Sequence, residues 1–172
     1  MVYFRDELHS ILKFINPNLT LSHTSRVILE QIIKKIGQKL LFEGEKYENF
    51  DETIENFIGG ELAAHTIDEY HRFLDGNYKL IYTKNTIAAV FPSTYSSKYF
   101  IEDLIKFISI VLECITIEIL SLSEIVTTQK NLFEISPYFI YHGIIKNKEL
   151  KNLIEKVFDM TLNEIMNWLT NF

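Results

Sequence analysis

The chain has 172 residues, enough for one or two small domains, and 47% of them are apolar, including 13 Phe and 9 Tyr; that composition supports a core and excludes intrinsic disorder. Six Gly and three Pro leave little material for turns, so long helices are expected. Seventeen basic against 23 acidic residues give a net charge of −6, which by itself argues against a nucleic-acid partner, because DNA affinity rests largely on neutralising phosphates.

The first seven residues lack a basic region followed by an apolar stretch, so no signal peptide is expected. Helical spacing at Leu8, Ile11, Leu12 and Ile15 predicts a helix over 3–15, stopped by Asn16-Pro17-Asn18. Leu19-Thr20-Leu21 reads as a short extended stretch, and Ser22 or Thr24 caps the next helix. That helix runs from about residue 25 into the mid-forties, with an apolar stripe of Val27, Ile28, Ile32, Ile33, Ile36, Leu40 and Leu41. Its polar face carries Glu30, Lys34, Lys35 and Lys39.

A polar loop over 45–50 precedes a short helix at 52–58, capped by Asp51; Gly59-Gly60 breaks it. A further helix over 61–74 ends at Asp75-Gly76. Residues 77–97 are the least helical, with 80–82 extended and a break at Phe91-Pro92. A long helix over 102–128 follows; its apolar run, 105–122, carries Lys106, Glu113 and Glu118, too many charges for a membrane span, and is a buried core helix. The single Cys114 lies in that run and reads as a buried thiol; no disulfide can form within the chain, which fits a reducing compartment. Gln129-Lys130-Asn131 ends the helix, 132–136 is an extended loop, and Pro137 suits the first turn of a helix over 138–145. Two amphipathic helices, 148–158 and 161–169, complete the chain. The second half thus repeats long helix, loop, short helix and extra helix at an interval of about 85 residues, and two such halves can pack as an intramolecular dimer.

Short, long and short helices joined by two loops resemble the histone fold, and particular segments carry the resemblance further. Residues 11–18, Ile-Leu-Lys-Phe-Ile-Asn-Pro-Asn, look like the end of the first helix and first loop of a type 2B histone. Gly60-Glu61-Leu62-Ala63-Ala64-His65 is similar to the start of that histone's C-terminal helix. Val111-Leu112-Glu113-Cys114-Ile115-Thr116 through Leu120 looks like the central helix of a type 2A histone, and the likeness continues through Ile135-Ser136-Pro137 to Ile154. Phe91-Pro92 resembles the Phe-Pro near the start of that fold, and together these segments cover about two thirds of the chain.

The resemblance implies an all-α chain: two tandem histone folds paired as an intramolecular handshake dimer. Its parts are a type 2B-like fold with a C-terminal helix over 1–78, a connector over 79–97, and a type 2A-like fold with a C-terminal docking segment over 98–172. The order resembles the fused histone doublets of giant viruses, in a shortened form. It implies a structural chromatin protein that packages double-stranded DNA in nucleosome-like particles, without reading sequence, with a second histone pair or doublet of type 4 and type 3 character. The implied location is a virion or viral factory, with the host nucleus as the alternative. The departures are shorter helices in the first half, a truncated first helix in the second, and no basic tails. Glu134 stands where the type 2A family places a minor-groove arginine, and Thr24 stands near a basic first-loop position.

Histone folds bind DNA through paired loops and helix N-termini, which offer backbone amides to phosphate whatever the net charge. The candidate DNA contacts are Arg26, Lys46 and Lys130; Lys13, Lys98 and Arg5 are weaker candidates, and all can also be read as solvated charges, Arg26 less so than the rest. The family's acidic patch, which docks basic peptides, maps to Glu61, Glu69, Glu113, Glu118 and Glu149, while Ser121, Asn147 and Lys148 replace three of its acids. Ile165, Trp168 and Leu169 form a C-terminal apolar stripe that serves as core or docks a partner histone.

Nothing points to an enzyme. His65 and His71 are six apart and miss the zinc-helix spacing, no Gly-rich phosphate loop or framed Ser nucleophile is present, and adjacent acids such as Asp68-Glu69 diverge on a helix. No catalytic residue, metal, cofactor, small-molecule substrate or membrane is expected. A second reading keeps the paired fold but makes it an acidic interaction module, a transcription-complex-like subunit or a histone-binding decoy, with little direct DNA wrapping.

Overall fold

The computed structural model describes residues 4–44, 49–77, 79–83, 85–87 and 102–171. Lys46, Lys98 and the Phe91-Pro92 break lie outside these residues. Among the described residues the backbone is all-α apart from two dipeptide strands.

Helix α1 (Arg5–Ile15) buries Leu8, Ile11 and Leu12, and it carries Asp6 and Glu7 at its N-terminal turn and Lys13 at its C-terminal turn, the arrangement its dipole favours. After Pro17 removes a donor, the Asn18 N–H closes a turn on Asn16 Oδ1 at 3.1 Å. Strand β1 (Thr20–Leu21) leads into the 22-residue α2 (His23–Gly44). Its cap is Ser22, whose Oγ accepts from the Ser25 N–H at 3.1 Å. Ile28, Ile32, Ile33, Ile36, Leu40 and Leu41 are buried as the periodicity predicts, with Leu29 joining them while Val27 is half-exposed. Glu30, expected on the polar face, is buried, because α2 is enclosed on more than one side.

Helix α3 (Phe50–Phe57) starts earlier than expected. Asn49 caps it, Oδ1 accepting from the Glu52 N–H at 2.8 Å, and Asp51 lies inside the first turn, where it meets His71 Nε2 at 2.8 Å. Gly59 and Gly60 both take positive φ, 79° and 65°, and turn the chain into α4 (Gly60–Leu74).

Helix α5 (Glu102–Thr128) is the longest, at 27 residues, and is buried over most of its length. It accommodates polar residues by returning their protons to its own backbone: Ser109, Thr116, Ser123 and Thr127 hydroxyls donate to carbonyls four residues back at 2.6–2.8 Å. Among the described residues no helix is long and apolar enough to cross a membrane. Asn131, at φ 55°, ends it in the left-handed region. Strand β2 (Glu134–Ile135) precedes α6 (Pro137–Ile144), which has Pro in its first turn. Helix α7 (Lys148–Phe158) is capped by Asn147, and α8 (Leu162–Thr170) by a reciprocal Thr161–Glu164 box.

One hydrophobic core joins both halves. Helix α5 packs on α1, α2, α4 and α6, and α2 also meets α7 and α8. The two strands pair in parallel across the halves, Thr20 opposite Glu134 and Leu21 opposite Ile135. Residues 80–82, expected to be extended, form no strand; they lie as a strap against α5 and against Phe4, the residue that precedes α1. The Tyr82 ring is 5.3 Å edge-on to Phe4, and its hydroxyl is 3.0 Å from Thr116 Oγ1.

Candidate functional site

Two surfaces collect the residues singled out by sequence. The first is the end of the molecule where the loop after α1 meets the loop after α5. The Thr20 N–H and hydroxyl donate to the Phe133 carbonyl at 2.9 and 3.3 Å. The Ser22 N–H and Ser25 hydroxyl converge on the Ile135 carbonyl at 3.1 and 2.7 Å. Asn16 donates its side-chain amide to Glu124 Oε1 at 3.1 Å, tying the α1 terminus to α5. These bonds hold the two loops in a fixed relation.

Three expected DNA contacts lie here. Lys130 is exposed at the end of α5. Arg26, in the first turn of α2, is half-buried in a groove of about 420 Å³ that Arg5 and His9 also line, with Asp6 as its acid. No ion pair joins Arg26 to another described residue. Lys13 is differently employed: its ammonium donates to the carbonyls of Pro17 and, at 3.3 Å, Leu19, so it braces the first loop. Glu134 is exposed on β2 beside them, and so are Leu132 and Phe133.

The second surface is a shallow depression of about 500 Å³ between the start of α4 and the α5–α7 face. It gathers Glu61, Glu118 and Glu149 with His65, Lys146 and Lys148. Glu149 reaches the α4 terminus, accepting from the Glu61 and Leu62 N–H groups at 3.0 and 2.7 Å. Glu118 Oε1 accepts from the Asn147 amide at 2.9 Å.

Two acids assigned to this patch do not belong to it. Glu113 is 1% exposed; its Oε2 accepts from the Ile81 and Tyr82 N–H groups at 2.7 and 3.0 Å, so the strap covers it. Glu69 lies outside the depression, largely covered, and its charge is met by Arg72 at 2.6 Å. With two lysines on the rim and two acids withdrawn, the surface is mixed in sign.

The C-terminal stripe needs a similar correction. Ile165 and Leu169 are buried core residues, because α8 folds back onto α2, α6 and α7. Trp168 alone keeps a large exposed fraction, 46%, with its ring 6.3 Å from Phe158. Docking through all three side chains is therefore not available to this conformation.

Burial sets the titration of the interior groups. It pushes the Cys114 thiol up to about 12, with Glu69 and Glu113 adding to the effect. It raises Tyr82 above the ordinary phenol value, against the lowering effect of the Thr116 hydrogen bond. Among the described residues no cluster of His, Cys, Asp and Glu is arranged to hold a metal ion. The pairing of Glu113 with the strap was missed by sequence reasoning; the one signal for it was the apolar triplet Leu80-Ile81-Tyr82 inside a polar stretch.

No protein-family model and no curated protein sequence matches this chain.

Proposed function

We propose that this chain is two fused histone folds, type 2B-like then type 2A-like, clasped as an intramolecular handshake pair, and that it packages double-stranded DNA as a structural protein, not an enzyme. The observation that carries the reading is the parallel pairing of β1 with β2. A handshake pair requires the first loop of one unit to lie beside the second loop of the other, and under this reading Thr20–Leu21 belongs to the former and Glu134–Ile135 to the latter. Contact between the two longest helices, α2 and α5, supports it further. Phosphate contacts fall to Arg26 and Lys130, with Arg5 beside Arg26, and the amides of the loops and helix starts supply the rest. The partner is a second histone pair of type 4 and type 3 character, and the setting is a virion or viral factory, with the host nucleus as the alternative.

A competing reading, an acidic histone-fold interaction module with little DNA wrapping, is favoured by one observation: Glu134 is exposed on the loop pair where phosphate would approach. A gel-shift titration of the full chain with DNA of about 150 base pairs, the length a histone octamer wraps, separates the two. Discrete, salt-sensitive complexes, alone or with partner histones, support packaging. Absence of retention even with partner histones supports the interaction module.

A further inference from the structure

Among the described residues, the buried hydroxyls of Thr53, Thr66, Ser109, Thr116, Ser123 and Thr127 each donate to the carbonyl four residues earlier, and so serve their own helix. Ser25 differs. It is 0% exposed in the first turn of α2, and its hydroxyl donates at 2.7 Å to the carbonyl of Ile135, in the other half of the chain. The direction of each bond follows from the groups. A carbonyl only accepts, so the Ser25 proton points at Ile135. Ser22 Oγ then donates to Ser25 Oγ at 2.8 Å while it accepts from the Ser25 N–H at 3.1 Å. The Ile135 carbonyl takes a second bond from the Ser22 N–H at 3.1 Å, so both of its lone pairs are used.

We propose that Ser25 is the positioning residue of the loop pair: its hydroxyl ties the start of α2 to Ile135 and so fixes where Arg26 stands relative to Lys130. The tie is a property of the fold, and its use for phosphate contact rests on the packaging reading. Strands β1 and β2 pair over two residues each, a ladder too short to hold segments from opposite halves by itself. The Ser25 bond adds to that ladder from inside the core. Ser25 and Ile135 are both 0% exposed, so no water competes for the carbonyl and the bond is worth more than one made at the surface. Losing the Ser25 hydroxyl removes one of the two donors of that carbonyl and also the acceptor of the Ser22 hydroxyl. Arg26 is the next residue on α2, half-buried in the groove with Arg5 and His9, and Lys130 stands at the end of α5 shortly before β2. The spacing of these two cations therefore depends on how firmly the two segments are joined.

The test compares the full wild-type chain with Ser25→Ala, Ser25→Cys and Ser123→Ala by amide hydrogen exchange. Ser123 is the matched control, because its equally buried hydroxyl donates at 2.7 Å within α5 and joins nothing across the halves. In Ser25→Ala the Thr20 and Ser22 amides, which bond to Phe133 and Ile135, are expected to exchange about tenfold faster, while the α7 amides keep their wild-type protection. Ser25→Cys, a weaker donor of similar size, falls between, and it carries the comparison even where the alanine variant fails to fold. Ser123→Ala leaves Thr20 and Ser22 at their wild-type rates. Unchanged exchange at Thr20 and Ser22 in both Ser25 variants would overturn the tie, as would equal acceleration by Ser123→Ala. Gel shift with DNA of about 150 base pairs decides packaging separately. No retention of DNA by the wild type removes packaging and leaves the tie, whereas wild-type exchange in the Ser25 variants removes the tie and leaves packaging. Where the wild type retains DNA, weaker retention by Ser25→Ala than by Ser123→Ala is expected, and equal retention would overturn the positioning role.

Discussion

Glu149 and Gly60 are matched across the two halves. Glu149 places both carboxylate oxygens on the first amides of α4, and it approaches so closely that a Cβ at position 60 would lie 1.9 Å from its Oε1. Gly60 also sits at φ 65°, where a side chain is strained in any case. A carboxylate from α7 thus does for α4 what a local cap would do, satisfying amides and the positive end of the dipole together.

The pair makes a double-mutant prediction. Gly60→Ala should cost about 2–4 kcal/mol, combining backbone strain with the clash. Glu149→Ala should cost about 1 kcal/mol as a lost cap. The two together should cost less than their sum, because removing Glu149 removes the clash. Urea denaturation of the four proteins measures the coupling; strict additivity would show that position 60 feels only its own φ.

Glu113 should hold the 79–83 strap to the body. Replacing it with Ala removes the acceptor of two amides, at about 1–3 kcal/mol for buried donors left unmet. Hydrogen exchange should quicken at Ile81 and Tyr82, while the α7 amides keep their wild-type protection if the opening is local. Unchanged protection at Ile81 and Tyr82 would show that Phe4 and Thr116 suffice.

The Cys114 thiol should be inert. Held up to about 12, it stays protonated at the pH of ordinary alkylation. Native protein should resist iodoacetamide at pH 8 and react fully in denaturant. The neutral thiol favours the folded state, so its contribution is whole below the ordinary value of 9.0 and is lost as pH climbs toward about 12. Rapid labelling of native protein would contradict the burial.

Gly143 lets α6 pack closely on α5; an added Cβ would lie 2.8 Å from both the backbone nitrogen and the Oγ of Ser123. A backbone atom cannot step aside, so Gly143→Ala should destabilise by about 1–3 kcal/mol despite its better helix propensity. A thermal melt showing equal or greater stability would mean that the two helices separate at little cost.

Under the packaging reading, Glu134→Arg should tighten DNA binding and steepen the salt dependence, since each added phosphate contact changes the slope of log K against log salt by about −0.9. A gel-shift series at several salt concentrations measures that slope. An unchanged slope would place the loop pair away from the phosphates.

The order of the helices was legible from the residues because helices are punctuated locally. Pro17, Gly59-Gly60, Gly76 and Pro137 mark boundaries through their own backbone chemistry, and the apolar stripes follow the 3.6-residue period. Two errors came from the same local reasoning. Asp51 reads as the cap from its residue type, but the helix already begins at Phe50, so Asn49 caps it and Asp51 lies in the first turn. Glu30 was assigned to solvent because an amphipathic wheel assumes one buried side, whereas α2 is packed by several elements.

The candidate surfaces were legible as residue types and illegible as places. Arg26, Lys130, Glu61, Glu118 and Glu149 could be named from sequence, but whether a charge faces water depends on which distant segment covers it. Glu113 is covered by residues more than 30 positions earlier in the chain, and Ile165 and Leu169 are turned inward by helices from both halves. Sequence by itself determined the all-helical class, the two long helices, the turns and the buried thiol, since these follow from propensity, period and hydropathy within a few residues. Tertiary structure alone decided the loop-to-loop strand pairing, the strap over Glu113 and the carboxylate on the α4 terminus. Each is a contact between remote segments, and its free energy exists only after the chain has closed.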